Sequence, residues 1–344
     1  MASSSVISLQ GRDLAPPLAA LPLLTLYLTE RCNSRCISCD YWRHGRRDLD
    51  PQVLDRLLPD LLQRGTRVVQ FSGGEPLLHP HWPLLAERLR AAGLKLWLLT
   101  AGLALAKQAD AVAASFERVI VSMDGASAES YAAIRGVKAF EAVCDGVRAL
   151  AARGRPATLR VTVQRANHTQ LPAFVALARE LGAGGVSFLP ADVGHAEAFG
   201  RAPDLPDQAV PPLAVPADEL PALAATLMRL ERDEAAAFAD GFILESPAKL
   251  RRLHAYFAAL AGLGEWPAVR CNAPEFSAVV EADGRARPCF FIAGPTPPAL
   301  PLGEALDGAA MRGLRADIAA GRRAECGRCV CSKWLDLGRP EVWA

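Results

Sequence analysis

Along residues 23–189, short and nearly continuous apolar runs alternate with longer stretches in which apolar positions return every three to four residues. The runs Leu23–Thr29, Arg67–Phe71, Leu94–Leu99, Arg118–Met123, Thr158–Val163 and Gly185–Leu189 predict strands. The stretches Pro51–Arg64, Trp82–Ala92, Ala104–Ser115, Phe140–Arg153 and Leu171–Leu181 predict amphipathic helices between them. Gly93, Gly154 and Gly182 stand where helices should end, because glycine enters the left-handed C-terminal position without a Cβ penalty. Strands that are apolar at almost every position imply a parallel sheet with covered faces. Six such units predict a partial (β/α)6 barrel of TIM type, with its chemistry on the loops after the strands' C-terminal ends.

Residues 190–218 break this rhythm. Pro190, Pro203, Pro206, Pro211, Pro212 and Pro216 predict a loop-rich crossing segment. Helical patterns at Ala217–Ala239 and Pro247–Leu263 follow, either packed on the barrel or covering its mouth as a lid. The expected organisation is a lead-in at 1–22, a barrel core at 23–189, a crossing segment with helices at 190–268 and a cysteine-bearing unit at 269–344. At 344 residues and 51% hydrophobic content, the chain can bury a barrel-sized core plus a smaller unit. Its 38 Lys and Arg against 37 Asp and Glu leave a net charge of +1, with no global pull toward nucleic acid or an anionic membrane. Met1–Gln10 lacks a basic leader, and Leu18–Leu28 is too short to span a bilayer and is interrupted by Pro22. The expectation is a soluble, cytoplasmic chain with neither nucleic-acid nor membrane partners.

Nine cysteines change the picture, because eight of them fall into two groups near the chain's ends. An odd count without a secretory leader argues for metal or redox chemistry rather than disulfides. Cys32, Cys36 and Cys39 occupy one eight-residue loop directly after the first predicted strand. Four thiolates would close an iron–sulfur cube; three leave one iron open, as catalysis at a metal requires. A zinc site completed by His44 is the alternative. After the second strand comes Ser72-Gly73-Gly74-Glu75-Pro76, where paired glycines allow close approach to the backbone and leave amides and carbonyls free to bond a ligand. Glu75 adds an anionic acceptor for an ammonium group. Cys144 lies within a helical pattern and reads as core.

Together, C-x3-C-x2-C after the first strand and Gly-Gly-Glu-Pro after the second resemble the radical S-adenosylmethionine (radical SAM) superfamily. Val119–Gly125 resembles that family's fourth strand, and Tyr131–Gly136 the helix that follows it. The resemblance covers residues 23–189. It implies a [4Fe–4S] cluster on Cys32, Cys36 and Cys39, with SAM chelating the open iron. It further implies that Gly73, Gly74 and Glu75 hold the SAM amine, that Ser122 and Asp124 contact its ribose side, and that Arg135 pairs with its carboxylate. Reductive cleavage of SAM would then yield a radical that abstracts a substrate hydrogen, with an electron donor such as flavodoxin or ferredoxin. Two positions depart from the family pattern. Ser38 stands where an aromatic residue is usual, so Tyr41 or Trp42 becomes the candidate adenine contact, and Thr100-Ala101-Gly102 replaces Thr-Asn-Gly.

In the second group, Cys271 and Cys289 flank an expected hairpin, Ser277–Glu281 with an Asp283-Gly284 turn. Cys326, Cys329 and Cys331 follow from a distant segment. By spacing alone these cysteines also suit structural zinc. Beside a radical SAM core they look like a SPASM/twitch extension, which implies one auxiliary [4Fe–4S] cluster. Either Cys329 or Cys331 would be its fourth ligand. Such a cluster would accept an electron from an oxidised substrate. The short lead-in before the first strand favours a small-molecule dehydrogenation, with peptide modification as the alternative and a zinc-stabilised binding protein as a third. Tyr27, Gln164, Asp192 and His195 lie near strand ends as candidate acids or bases.

Overall fold

A computed structural model describes residues 14–201, 212–298 and 300–336, apart from the side chain of His44. Met1–Gln10 and the expected loop prolines Pro203, Pro206 and Pro211 lie outside the described residues.

The six expected strands form, within two residues at either end: β1 Leu23–Thr29, β2 Val68–Gly73, β3 Lys95–Thr100, β4 Arg118–Ser122, β5 Thr158–Val163 and β6 Gly185–Pro190. They pair in parallel and in sequence order. Helices Val53–Gln63, Trp82–Ala91, Leu105–Ser115, Phe140–Ala151 and Leu171–Glu180 make the crossovers. The glycines after three of these helices take the expected positive φ, 84° at Gly93, 67° at Gly154 and 66° at Gly182.

The apolar strands do not bury both faces in the same way. Leu24, Leu26, Leu28, Val69, Phe71, Leu96, Leu98, Val119, Val121, Leu159, Val161 and Val163 pack with the helices in one core. The opposite face of the sheet, the lumen of the open barrel, carries Tyr27, Gln70, Ser72, Trp97, Ser122, Arg160 and Thr162, several of them half-buried. The helices cover one face only, and the polar lumen is left for ligands.

Two C-terminal strands join the same sheet, which gives the order β6-β5-β4-β3-β2-β1-β7-β8. β7 (Ser277–Val280) lies parallel to β1, and β8 (Ala286–Arg287) returns antiparallel through a turn in which Gly284 takes φ 84°. The cysteine-bearing segment is thereby placed beside the strand that leads into the first cysteine loop. The helical pattern at 217–239 divides into Leu220–Asp233 and Ala235–Ala239, because Glu234 leaves helical geometry, its carboxylate held by both Nη atoms of Arg179. The next helix starts at Pro247, where Ser246 Oγ accepts from the Lys249 amide, and ends at Leu260. None of the described helices is long and apolar enough to cross a membrane.

Candidate functional site

The first cysteine loop is seated by two neighbours. From one side the C-terminal carbonyls of helix Ala128–Arg135 reach it: Arg135 accepts from the Arg35 amide at 2.9 Å and Ile134 from the Ile37 amide at 3.0 Å. Gly136 ends that helix with φ 67°, and a Cβ there would stand 2.3 Å from the Arg35 carbonyl oxygen. From the other side, the Phe199 carbonyl accepts from the Asp40 amide at 2.9 Å and from Cys39 Sγ at 3.3 Å. Trp42 Nε1 donates to the Cys36 carbonyl at 3.3 Å, and Tyr41 packs edge-on to Tyr27.

Burial pushes the thiols up, Cys32 to about 11, Cys39 to about 12 and Cys36 in the same direction, and neighbouring thiols of the trio raise Cys32 and Cys39 further. Thiols held this way give up their protons only to a metal or cluster that repays the charge. Asn33 Oδ1 and Ser34 Oγ in the same loop are buried without a partner. Three thiols on one short loop and two orphaned polar atoms fit a three-thiolate iron–sulfur cluster with one open iron. Among the described residues, no three His, Cys, Asp or Glu side chains gather as a single metal ion needs.

The glycine pair lies against the start of the first cysteine loop. The amides of Gly74 and Glu75 are not free; they donate to the Thr29 carbonyl at 2.7 Å and the Arg31 carbonyl at 2.8 Å. A Cβ on Gly74 would stand 2.3 Å from the Arg31 oxygen, so the pair's smallness lets the start of the cysteine loop lie directly on it. Glu75 is 1% exposed and is held by three donors, Thr100 Oγ1 at 2.7 Å, the Ala101 amide at 2.6 Å and the Leu77 amide at 3.1 Å. Burial raises its pKa and these three bonds oppose the rise. It ties the β2 loop to the end of β3, where Thr100-Ala101-Gly102 lies.

Ser122 ends β4 on the lumen face, half-buried. Asp124 is 1% exposed; its Oδ1 accepts from the Thr162 amide at 2.7 Å and its Oδ2 pairs with Arg135 Nη1 at 3.0 Å. Arg135 is also drawn by Cys36, which places its charge beside the thiol loop.

The second group assembles from three segments. The Arg270 amide donates to Ser332 Oγ and Ser332 Oγ to the Arg270 carbonyl, while the Asn272 side chain donates to the Leu335 carbonyl and accepts from its amide. This lacing brings Cys271 to the 326–331 segment, and Cys289 follows β8. Burial again raises the thiols first, Cys326 and Cys331 to about 11, Cys289 and Cys329 in the same direction. Cys271 and Cys289 act electrostatically on Cys326, Cys329 and Cys331 alike, so the three segments bring their thiols into one region. Cys144 lies in the helical core as expected.

Tyr27 stands between the two groups. It is buried on the lumen face of β1, edge-on to Tyr41 and near Phe290, and burial raises its pKa, with both Cys39 and Cys289 adding to the rise. Segment 192–201 also joins them. Asp192 Oδ1 meets His195 Nδ1 at 2.5 Å and Asp192 Oδ2 meets Arg201 Nη1 at 2.5 Å. His195 Nε2 lies 3.2 Å from the Glu325 carbonyl, beside Cys326, and its ring packs on Phe291. With both ring nitrogens engaged and 4% exposure, His195 braces the two groups. Gln164 is fully buried, its Nε2 bonded to the Thr162 carbonyl and its Oε1 unpartnered. The Phe199 carbonyl, held at φ 56°, left no sequence signal, since a backbone atom has no residue type.

Residues 26–177 match the Radical SAM superfamily. The chain is 33% identical over 197 residues to PqqA peptide cyclase of Xanthomonas campestris, covering 54% of this chain and 48% of that one. It is 34% identical over 174 residues to GTP 3',8-cyclase 1 of Mycobacterium tuberculosis, covering 46% and 48%. The chain thus spans about half the length of the curated relatives it matches. Among solved structures its fold resembles Streptococcus suis SuiB bound to precursor peptide SuiA, with TM-score 0.63, 14% identity, and 87% of this chain and 67% of that one covered.

Proposed function

We propose, from the match of residues 26–177 to the Radical SAM superfamily, that this protein is a radical SAM enzyme that oxidatively modifies a peptide at an unactivated C–H bond. The observation that carries the reading is that the Tyr27 ring meets both Tyr41, beside the first cysteine group, and Phe290, beside the second. A substrate in the lumen would lie between them. When bound, the cluster and SAM at the first group supply hydrogen-atom abstraction, and a closed auxiliary cluster at the second accepts the electron that the oxidised substrate must lose.

Cys32, Cys36 and Cys39 would hold the first cluster. Cys271, Cys289 and Cys326 with Cys329 or Cys331 would hold the second. Arg135, charged and fixed by Asp124, neutralises the thiolates beside it. Ser122, Gly73 and Gly74 line the approach to SAM, and Glu75 shapes that approach by fixing the ends of β2 and β3. The brace of Asp192, His195 and Arg201 holds the spacing between the groups. An external reductant of the flavodoxin or ferredoxin type completes the scheme.

Similarity to a peptide cyclase supports the peptide substrate. The similar match to a GTP cyclase supports a second reading, a small-molecule substrate in the same lumen. The deciding experiment is anaerobic reconstitution. The chain should take up about eight irons and form 5′-deoxyadenosine from SAM under reduction. Changing Cys32, Cys36 and Cys39 to alanine should leave about four irons and no 5′-deoxyadenosine. Continued SAM cleavage in that variant refutes the assignment.

A further inference from the structure

Among the described residues, Arg160 is a cationic side chain on the lumen face that the site described above leaves unused. Arg160 on β5 is in register with Ser122 on β4 and Ser187 on β6, so it shares their face. Its neighbours Leu159 and Val161 point the other way, into the helical core. The buried arginines Arg135, Arg287 and Arg315 are matched with Asp124, Glu281 and Asp307. Arg160 is half-buried, has a buried Nε without a hydrogen-bond partner, and has no ion pair with any described carboxylate. Glu245 draws it electrostatically, but the two Glu245 oxygens are taken by Ser187 Oγ at 2.7 Å and the Phe188 amide at 2.8 Å. A guanidinium withdrawn from water with an empty edge is costly unless an anion meets it.

Its position tells which anion. Arg160 interacts with Cys331 of the second group, whereas Arg135 is the arginine that interacts with Cys36 of the first. Lys333 lies within electrostatic reach of Arg160, Cys331 and Cys271. Arg160 therefore stands on the auxiliary side of the lumen, with Lys333 within its electrostatic reach, where the substrate rather than SAM would lie. With Glu245 nearby the local positive charge is modest, which suits one carboxylate better than a phosphate dianion, and the planar fork of arginine matches a carboxylate in two-point contact.

We propose that Arg160, with Lys333 beside it, is a substrate-binding residue that holds a carboxylate of the substrate in the lumen, selecting an acidic side chain or a C-terminal carboxylate. The inference rests on the lumen being the active site.

The test uses the reconstituted, SAM-loaded protein, with N-acetylglutamate and its neutral counterpart N-acetylglutamine as probes in saturation-transfer difference NMR. N-acetylglutamate should bind and N-acetylglutamine should not. Arg160→Gln should weaken N-acetylglutamate about ten-fold or more, Arg160→Lys should restore part of that loss because it keeps the charge without the fork, and Lys333→Met should cause a smaller loss. Equal binding of the two probes overturns the proposal, as does unchanged binding in Arg160→Gln. Displacement of N-acetylglutamate by lower concentrations of inorganic phosphate assigns the pocket to phosphate and overturns it too. Loss of SAM binding in Arg160→Gln, measured by equilibrium dialysis without probe, would place the carboxylate on SAM and overturn it as well. Where Arg160→Gln fails to fold, the comparison of the two probes on the wild-type chain decides. Formation of 5′-deoxyadenosine by the wild type is measured separately, so a failed enzymatic reading and a failed carboxylate site give different results.

Discussion

Glu75 shows how one residue serves a site through its neighbours. Its type and its place after two glycines were visible in the chain, and the resemblance made it an ammonium acceptor. The structure gives its oxygens three donors from the β2 loop and the end of β3. Glu75→Ala should therefore cost about 2–4 kcal/mol of stability by leaving buried donors unmatched, measured as a lower urea midpoint, in addition to weaker SAM binding. A midpoint equal to wild type would mean that water satisfies those donors. Asp192 and His195 teach the same lesson. Each was a candidate acid or base by type, and each is committed to a brace that only the folded chain creates.

At the scale of elements, the helix Ala128–Arg135 positions the first thiol loop. It opens with a capping box at Ser127 and closes with Gly136 in the left-handed region. Its last carbonyls, left without helical partners, take the amides of Arg35 and Ile37. Gly136→Ala adds about 1–2 kcal/mol of backbone strain and drives a methyl into the Arg35 carbonyl. The expected outcome is a lower melting temperature together with poorer iron uptake at the first group, read by iron content in a Cys271→Ala/Cys289→Ala background. Normal uptake there would show that the loop does not depend on this seat.

Across the whole molecule, the C-terminal part is strapped to the barrel at the end where β1 and β2 begin. Asp307 on helix Leu302–Asp307 accepts from the Leu18 amide at 2.8 Å and pairs with Arg64 at 2.6 Å, while the Gly303 amide donates to Asp60. Burial alone would raise the Asp307 pKa, but the Leu18 amide and Arg64 prevail and it falls below 3.8. A depressed carboxylate stabilises the fold above its unfolded pKa, and that contribution is lost as pH falls through the folded value. Asp307→Asn should thus lower stability at neutral pH by about 1–2 kcal/mol and flatten the acid limb below about pH 4. Denaturation curves from pH 7 to pH 3 check this; parallel curves for variant and wild type would remove Asp307 from the strap's energetics.

The local chain was enough to mark the six strands, their helices and both cysteine groups. Each rests on short-range physics: periodic burial, glycine at helix ends, and thiols spaced for a cluster. Leu23–Thr29 and Thr158–Val163 match to the residue, because an apolar run bounded by polar turns has little freedom in register. Other features needed the three-dimensional arrangement. That β7 would add to β1 depends on pairing across about 250 residues, which no local pattern encodes. The Gly73-Gly74 pair could be marked as a close approach, but not that the approaching group is the chain itself. Arg160 looked like any strand arginine. Only the closing of the sheet, with the helices on one face and the second cysteine group over the other, left it in the lumen without a carboxylate of its own.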